Sequence, residues 1–137
     1  MRNRALTRDY QHRSTIRLAA LKVLYDHGGY ADVVREAQEI VELISKALIR
    51  SLGGEPARVH EVSSQLEEMR ARLGTVHHPD LDALIAASRE LRRDRELAFY
   101  GTEDLTPSEF YSKKDAERAL TFARESVDFV NRVIDEA

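Results

Sequence analysis

An arginine and a histidine a few residues apart are the first side chains in this sequence that could carry out acid–base chemistry. Four residues separate Arg72 from His77, with Arg70 before them and His78 after them. A histidine can transfer a proton, and a guanidinium can stabilise a phosphorane-like transition state. The spacing therefore predicts Arg72 and His77 as catalytic residues for RNA cleavage. An arginine-rich chain also produces this spacing by chance, and the alternative is a helix-end arginine pair beside a solvated loop histidine.

A second concentration of basic side chains begins at Arg89 and continues to the end of the same predicted helix. Helical spacing places Arg92 and Arg95 near an aromatic ring, and guanidinium groups suit planar anions. We expect an anion or nucleotide site here, formed by Arg92, Arg95, Tyr100 and His60. The alternative is a solvated helix face with ion pairs between residues one turn apart.

Several kinds of site have no support in the sequence. The chain has no cysteine, and its histidines lack the His-x-x-x-His spacing of a zinc site. The glycine-rich phosphate loop and the Gly-x-Gly-x-x-Gly fingerprint of dinucleotide-binding proteins are absent as well. We therefore expect no metal and no cofactor.

The charge balance and hydropathy restrict the partners and the cellular compartment that the sequence supports. It has 137 residues and a net charge of −3, with 21 basic and 24 acidic side chains. This balance gives no support to a non-specific coat on nucleic acid. The first residues lack the apolar core of a signal peptide, and no run approaches the roughly 18 apolar residues of a membrane span. We expect a cytoplasmic protein that does not enter a membrane.

The spacing of apolar residues predicts five helices that would position these sites. In the clearest one, apolar residues from Val33 to Leu48 recur at intervals of three and four. Glycine pairs end the first two helices, Pro79 begins the fourth, and Ser112 with Asp115 forms a capping-box start for the last. The predicted helices are Thr7–His27, Tyr30–Leu52, Ala57–Leu73, Pro79–Tyr100 and Ser112–Ile134, with an ordered loop over Thr102–Tyr111.

Short connections between helices favour antiparallel packing of neighbours along the chain. The expected fold class is all-α, an up-and-down antiparallel bundle of four to five helices, with residues 1–137 in a single domain. The first helix has two apolar rows, one from Ile16 to Leu24 and one formed by Leu18, Leu21 and Tyr25. The last helix also has two rows. Because such a band is wider than one helix contact requires, we expect a homodimer.

Four segments in order along the chain resemble the HEPN domain family. The segment 37–49, AQEIVELISKALI, is similar to the family's A-Q-x-x-x-E-x-x-x-K-A-L-L helix. The segments 56–62 (PARVHEV), 95–100 (RELAFY) and 111–120 (YSKKDAERAL) resemble its P-x-x-x-H-x-L, R-x-x-x-x-Y and Y-T-x-x-E-A-x-x-A-L features. The resemblance extends over residues 30–133.

This resemblance implies a bundle of four or five helices that is usually dimeric. Many prokaryotic members are paired with a minimal nucleotidyltransferase as a toxin–antitoxin couple. Active members are metal-independent ribonucleases whose Arg-x(4–6)-His motif is brought together by two subunits, and other members are non-catalytic. Here four residues, Leu-Gly-Thr-Val, separate Arg72 from His77, so the spacing fits the motif. These residues indicate a break between helices, however, whereas the motif of active members lies on or against a helix. His60 is similar to a histidine of the members that lack the Arg–His motif, where its role would be to brace the bundle.

Three hypotheses remain open from the sequence. In the first, the chain is a HEPN-type helical protein that binds nucleotide, RNA or a nucleotidyltransferase partner, without strong catalysis of its own. In the second, it is a metal-independent ribonuclease toxin that uses Arg72 and His77. In the third, it is a structural or interaction protein whose arginine-rich fourth helix is only a solvated face.

Overall fold

A computed structural model of the chain describes residues 2–57, 62–101 and 105–136, with the backbone alone at 2, 3 and 94–99. Six α-helices lie in this part of the chain. They are α1 (Arg2–Asp26), α2 (Tyr30–Ser51), α3 (Val62–Glu68), α4 (His78–Tyr100), α5 (Pro107–Phe110) and α6 (Lys113–Glu136). Two short 3₁₀ turns, Arg70–Arg72 and Thr75–His77, connect α3 to α4.

Helix α2 lies at the centre and packs against α1, α4 and α6. No residue between Val33 and Ile49 is exposed. Each large aliphatic side chain that is fully buried contributes roughly 1.5–3 kcal/mol relative to exposure. The buried apolar residues of α2 are Ala31, Val33, Val34, Ala37, Ile40, Val41, Ile44, Ala47, Leu48 and Ile49.

Contacts between helix ends establish the directions of the long helices. Arg8, near the start of α1, forms an ion pair of 2.6 Å with Asp135 at the end of α6. Tyr25, at the other end of α1, donates a 2.7 Å hydrogen bond to Glu117 near the start of α6. Two ion pairs show that α4 and α6 are also antiparallel. Asp80, near the start of α4, pairs with Arg132 near the end of α6, and Glu90, further along α4, pairs with Arg118 near the start of α6. The predicted all-α, up-and-down antiparallel bundle is confirmed.

The two apolar rows of α1 differ in how far they face the core of the chain. Leu21 is fully buried, and Leu18 and Tyr25 pack partly buried against the core. In the other row, Ile16, Ala19, Ala20 and Val23 are exposed on the solvent side of the helix, whereas its last residue, Leu24, is partly buried against the core. The sequence predicts both rows without indicating which of them enters the core.

The predicted third helix, Ala57–Leu73, was wrong at both ends. Ala57 lies outside a helix, and its N–H donates to Oε1 of Gln65 at 2.7 Å, while Nε2 of Gln65 donates to the Glu55 carbonyl at 2.9 Å. One side chain thus holds the incoming segment alongside α3. The α-helix ends at Glu68, because the N–H of Met69 is shared by two carbonyls and the chain tightens into a 3₁₀ turn.

Two other boundaries also differ from the prediction. Helix α1 begins at Arg2 rather than Thr7, since the preceding residues contain no proline or glycine to stop it. The predicted loop contains a helical turn at Pro107–Phe110, where Oγ1 of Thr106 accepts from the N–H of Glu109 at 3.3 Å. Proline at the first helical position suits this short turn.

The capping box predicted before the last helix is confirmed. The N–H of Ser112 donates to Oδ2 of Asp115 at 2.9 Å, and the N–H of Asp115 donates to Oγ of Ser112 at 3.3 Å. These reciprocal bonds satisfy two backbone donors and fix the start of α6. The predicted start of the fourth helix at Pro79 is one residue from the observed start at His78.

We expect Ile44→Ala to lower the free energy of unfolding by roughly 2–5 kcal/mol, because it leaves a cavity around a fully buried position of α2. Urea unfolding followed by circular dichroism measures the change. Val76→Ala is the control, since Val76 is 80% exposed, and its effect is expected to stay within about 0.5 kcal/mol. Equal effects of the two substitutions would contradict the enclosed position of α2.

Candidate anion-binding site

Three arginines of α4 converge where this helix meets α3. Arg89, Arg92 and Arg93 line an open cavity of about 380 Å³ together with Ser63 of α3. Intervals of three and four residues place the three arginines on one face of the helix. Ser63 is only 5% exposed, so it lies on the inner side of the cavity. We call these four residues the arginine cluster.

Arg70 holds α3 and α4 together beside the cluster. Its guanidinium donates to Glu67 of α3 at 2.8 Å and also pairs with Asp82 of α4. The hydrogen bond from Arg70 lowers the pKa of Glu67 below its usual value, and the same bond raises the pKa of Arg70. This bridge links both helices to the turn between them, so the two sides of the cavity are connected close to the site.

Glu90, which directly follows Arg89 in the arginine run, pairs with α6. Glu90 accepts hydrogen bonds of 2.7 and 2.9 Å from Arg118 of α6. These bonds lower the pKa of Glu90 and raise that of Arg118. Helix α4 therefore pairs Glu90 with α6, while Arg89, Arg92 and Arg93 line the cavity on the side of α3.

The composition of the arginine cluster suits a phosphate-bearing ligand. Guanidinium groups bind phosphate oxygens through two parallel hydrogen bonds, and a serine hydroxyl can add a further donor. The cavity volume is within the roughly 300–1,000 Å³ of small-molecule sites. Among the described lining residues, none has a side chain that ordinarily titrates near neutral pH, so this arrangement favours binding over acid–base catalysis.

The residues predicted for an anion site are not all brought together in the described part of the chain. Arg92 lines the cavity, whereas Tyr100 is 73% exposed at the end of α4. His60 lies outside the described residues, and for Arg95 only the backbone is described.

Sequence reasoning missed three members of the cluster. Arg89 and Arg93 are one helical turn apart, and this spacing within the arginine run could have indicated that they share a face with Arg92. Nothing in the sequence pairs Ser63 with them, because its place depends on how α3 packs on α4.

Arg72, the first catalytic candidate, contacts the end of the central helix. Its guanidinium donates a 3.0 Å hydrogen bond to the carbonyl of Leu52, the residue that caps the C-terminus of α2. A basic side chain at this position satisfies a free carbonyl and interacts favourably with the helix dipole. This contact gives Arg72 a structural role in the single chain.

The histidines after Arg72 have different neighbours. The half-buried ring of His77 packs against Phe129 of α6, with ring centroids 6.2 Å apart. Nε2 of His78 lies 3.1 Å from the carbonyls of both Arg70 and Leu73, where its N–H can donate a hydrogen bond to either. Arg72 is thus engaged at the end of α2 while His77 lies against α6.

Neither a metal site nor a membrane span is found in the part of the chain that the structure describes. No group of three or more histidine, aspartate or glutamate side chains there is arranged to hold a metal ion. Nor does any helix within these described ranges combine the length and the apolar character needed to cross a membrane.

Comparison with known proteins gives one match. A family model described as the HEPN domain matches residues 7–133. No curated protein and no solved structure matches the chain. The matched range begins within α1, ends within α6 and contains the arginine cluster, Arg72 and His77.

We expect Arg72→Ala to lower the free energy of unfolding by about 1 kcal/mol, because the carbonyl of Leu52 loses its partner. Arg124→Ala, at an exposed position of α6, is the control and is expected to change stability by less than about 0.5 kcal/mol. Urea unfolding of both variants measures the difference. If the two variants are equally stable, the contact with α2 contributes nothing.

Proposed function

The chain belongs to the HEPN domain family, and we propose that it binds the phosphate groups of nucleotide or RNA through the arginine cluster, without strong catalysis of its own. The convergence of Arg89, Arg92 and Arg93 with Ser63 around one cavity carries this proposal. Each phosphate neutralised by a guanidinium releases a counterion, so affinity is expected to fall with increasing salt.

The contacts of the two catalytic candidates support binding over cleavage. Arg72 donates to a backbone carbonyl at the end of α2. That bond uses one of the five N–H groups of the guanidinium and directs the side chain toward the end of α2. His77 packs on Phe129 of a different helix.

Family membership also supports a protein partner as part of the proposal. We propose a cytoplasmic protein that pairs with a minimal nucleotidyltransferase in a toxin–antitoxin couple, as the resemblance implies. The simplest observation is genomic, namely whether the neighbouring reading frame encodes a small nucleotidyltransferase. Co-purification of the two proteins would support the pairing, and separate elution of the co-expressed proteins would count against it.

Replacing Arg89, Arg92 and Arg93 together by alanine is expected to weaken binding of a single-stranded RNA by at least about tenfold, because three phosphate contacts are lost. Fluorescence anisotropy over a range of salt concentrations measures both Kd and its salt dependence. The slope of log K against log salt is expected to become shallower by about 0.7 for each lost contact.

A second triple variant, with Arg4, Arg124 and Arg132 replaced by alanine, is the matched control. These exposed arginines lie on α1 and α6, so the variant loses the same net charge away from the cavity. It is expected to keep most of the affinity. Equal losses in the two triple variants would show that general charge, and not the arginine cluster, determines binding.

The same incubations test catalysis when the RNA is examined on a gel in the presence of a metal chelator. We expect intact RNA. Metal-independent cleavage that disappears in both Arg72→Ala and His77→Ala, while both variants remain folded, would establish the ribonuclease alternative instead.

A further inference from the structure

Helices α4 and α6 leave a cavity of about 300 Å³ between them. Its α4 wall contains three alanines, Ala83, Ala86 and Ala87, and its α6 wall contains Phe122 and Phe129. Because an alanine side chain extends only one carbon from the backbone, the alanines leave space that larger side chains would fill. The volume is at the lower limit of small-molecule sites. We call this space the α4–α6 cavity.

The hydroxyl of Ser126 is a buried polar group on the α6 wall of this cavity. Ser126 is only 4% exposed, and its hydroxyl forms no hydrogen bond within the described ranges of the chain. The hydroxyls of Ser14 and Ser45 are also unpaired, but protein encloses them fully. The Ser126 hydroxyl is not enclosed in this way, so it keeps contact with the cavity. A buried polar group without a partner is costly, which favours a ligand that bonds to it.

The charged side chains around the cavity differ in whether they are already paired. Both carboxylate oxygens of Glu90 accept hydrogen bonds from Arg118, at 2.7 and 2.9 Å. Asp80 pairs with Arg132 at 3.5 Å. Glu125 also lines the cavity, is exposed, and forms no hydrogen bond or ion pair with any residue that the structure describes. One unpaired negative charge therefore remains at the edge of the cavity.

These groups indicate the charge and the shape of a ligand. An ammonium group donates three hydrogen bonds and accepts none, so between Glu125 and Ser126, which are adjacent in α6, it can donate to both. The alanines of α4 and the ring of Phe129 suit an apolar body. Arg118 lines the same cavity, but Glu90 already neutralises it. An anionic ligand would bring its charge close to the unpaired carboxylate and is disfavoured.

We propose that the α4–α6 cavity binds a small organic cation, in which an ammonium group is attached to a compact apolar body. The ammonium pairs with Glu125 and Ser126, and the apolar body lies between the alanines of α4 and the aromatic residues of α6. The arginine cluster lies between α4 and α3 and suits ligands of the opposite charge. The proposal therefore does not rest on phosphate binding.

Titration of the ¹⁵N-labelled full chain with 2-phenylethylamine, followed by NMR, tests this site. This probe carries an ammonium at neutral pH, and we expect its Kd to be about 1 mM or lower. The largest amide shifts are expected within residues 80–90 and 118–129. The neutral analogue 2-phenylethanol is expected to bind at least about threefold more weakly, because it lacks the charge that pairs with Glu125.

Glu125→Gln is expected to weaken binding of 2-phenylethylamine about threefold or more and to change the Kd of 2-phenylethanol by less than about twofold. Asp128→Asn is the matched control, because it removes the same charge from an exposed position of α6 that does not line the cavity. This control is expected to bind both probes like the unaltered protein.

Ala83→Leu fills the cavity from an exposed position of α4, so the fold is expected to survive while both probes bind at least about tenfold more weakly. Ala20→Leu, at an exposed position of α1, is the control and is expected to bind both probes normally. Circular dichroism checks that both variants remain folded.

Three results would each overturn the proposal. The first is a Kd of 2-phenylethylamine no lower than that of 2-phenylethanol. The second is an equal effect of Glu125→Gln and Asp128→Asn on the charged probe. The third is binding by Ala83→Leu that is as tight as binding by Ala20→Leu. RNA binding by Ala83→Leu is expected to be unchanged, so failure of this cavity is distinguishable from failure of the arginine cluster.

Discussion

The enclosure of α2 by three other helices is the constraint on which the rest of the structure depends. A helix with no exposed residue between Val33 and Ile49 requires neighbours on almost every side. Helices α1, α4 and α6 meet this requirement, and the contacts between their ends show that α6 runs antiparallel to both α1 and α4. The position of α4, and with it the arginine cluster, follows from this packing.

Polar residues of α2 fit the same enclosed setting. Glu42 is almost fully buried, and it accepts from Gln38 at 3.3 Å and pairs with Lys46 at 3.5 Å. A buried carboxylate is costly unless hydrogen bonds and an opposite charge compensate it. These three residues, each one turn from the next, are the glutamine, glutamate and lysine through which segment 37–49 resembles the HEPN family. The motif thus corresponds to a polar chain along the central helix.

The sequence was most informative where local chemistry decides the structure. The periodicity of α2 and the Ser112–Asp115 capping box were both predicted, because the signal lies within one helix or one turn. The start of the third helix was not, because the side chain of Gln65 holds an incoming segment that lies eight or more residues before it. The choice between the two rows of α1 likewise depends on tertiary packing.

The same distinction applies to the candidate site. The arginine run of α4 is visible in the sequence, but its partner Ser63 is placed by the packing of α3. The spacing of Arg72 and His77 fits a catalytic motif, yet spacing alone does not specify the direction of a side chain. The structure directs Arg72 to Leu52 and His77 to Phe129. A one-dimensional motif is therefore a weaker guide to function here than the clustering of three guanidinium groups.

Native-state hydrogen exchange, measured at a concentration where the chain is monomeric, tests the central position of α2 most directly. The amides from Val33 to Ile49 are expected to exchange slowest, and only through global unfolding, while the ends of α1 and α4 exchange through local opening. Exchange of the α2 amides as fast as those at the ends of α1 and α4 would contradict the enclosure of this helix.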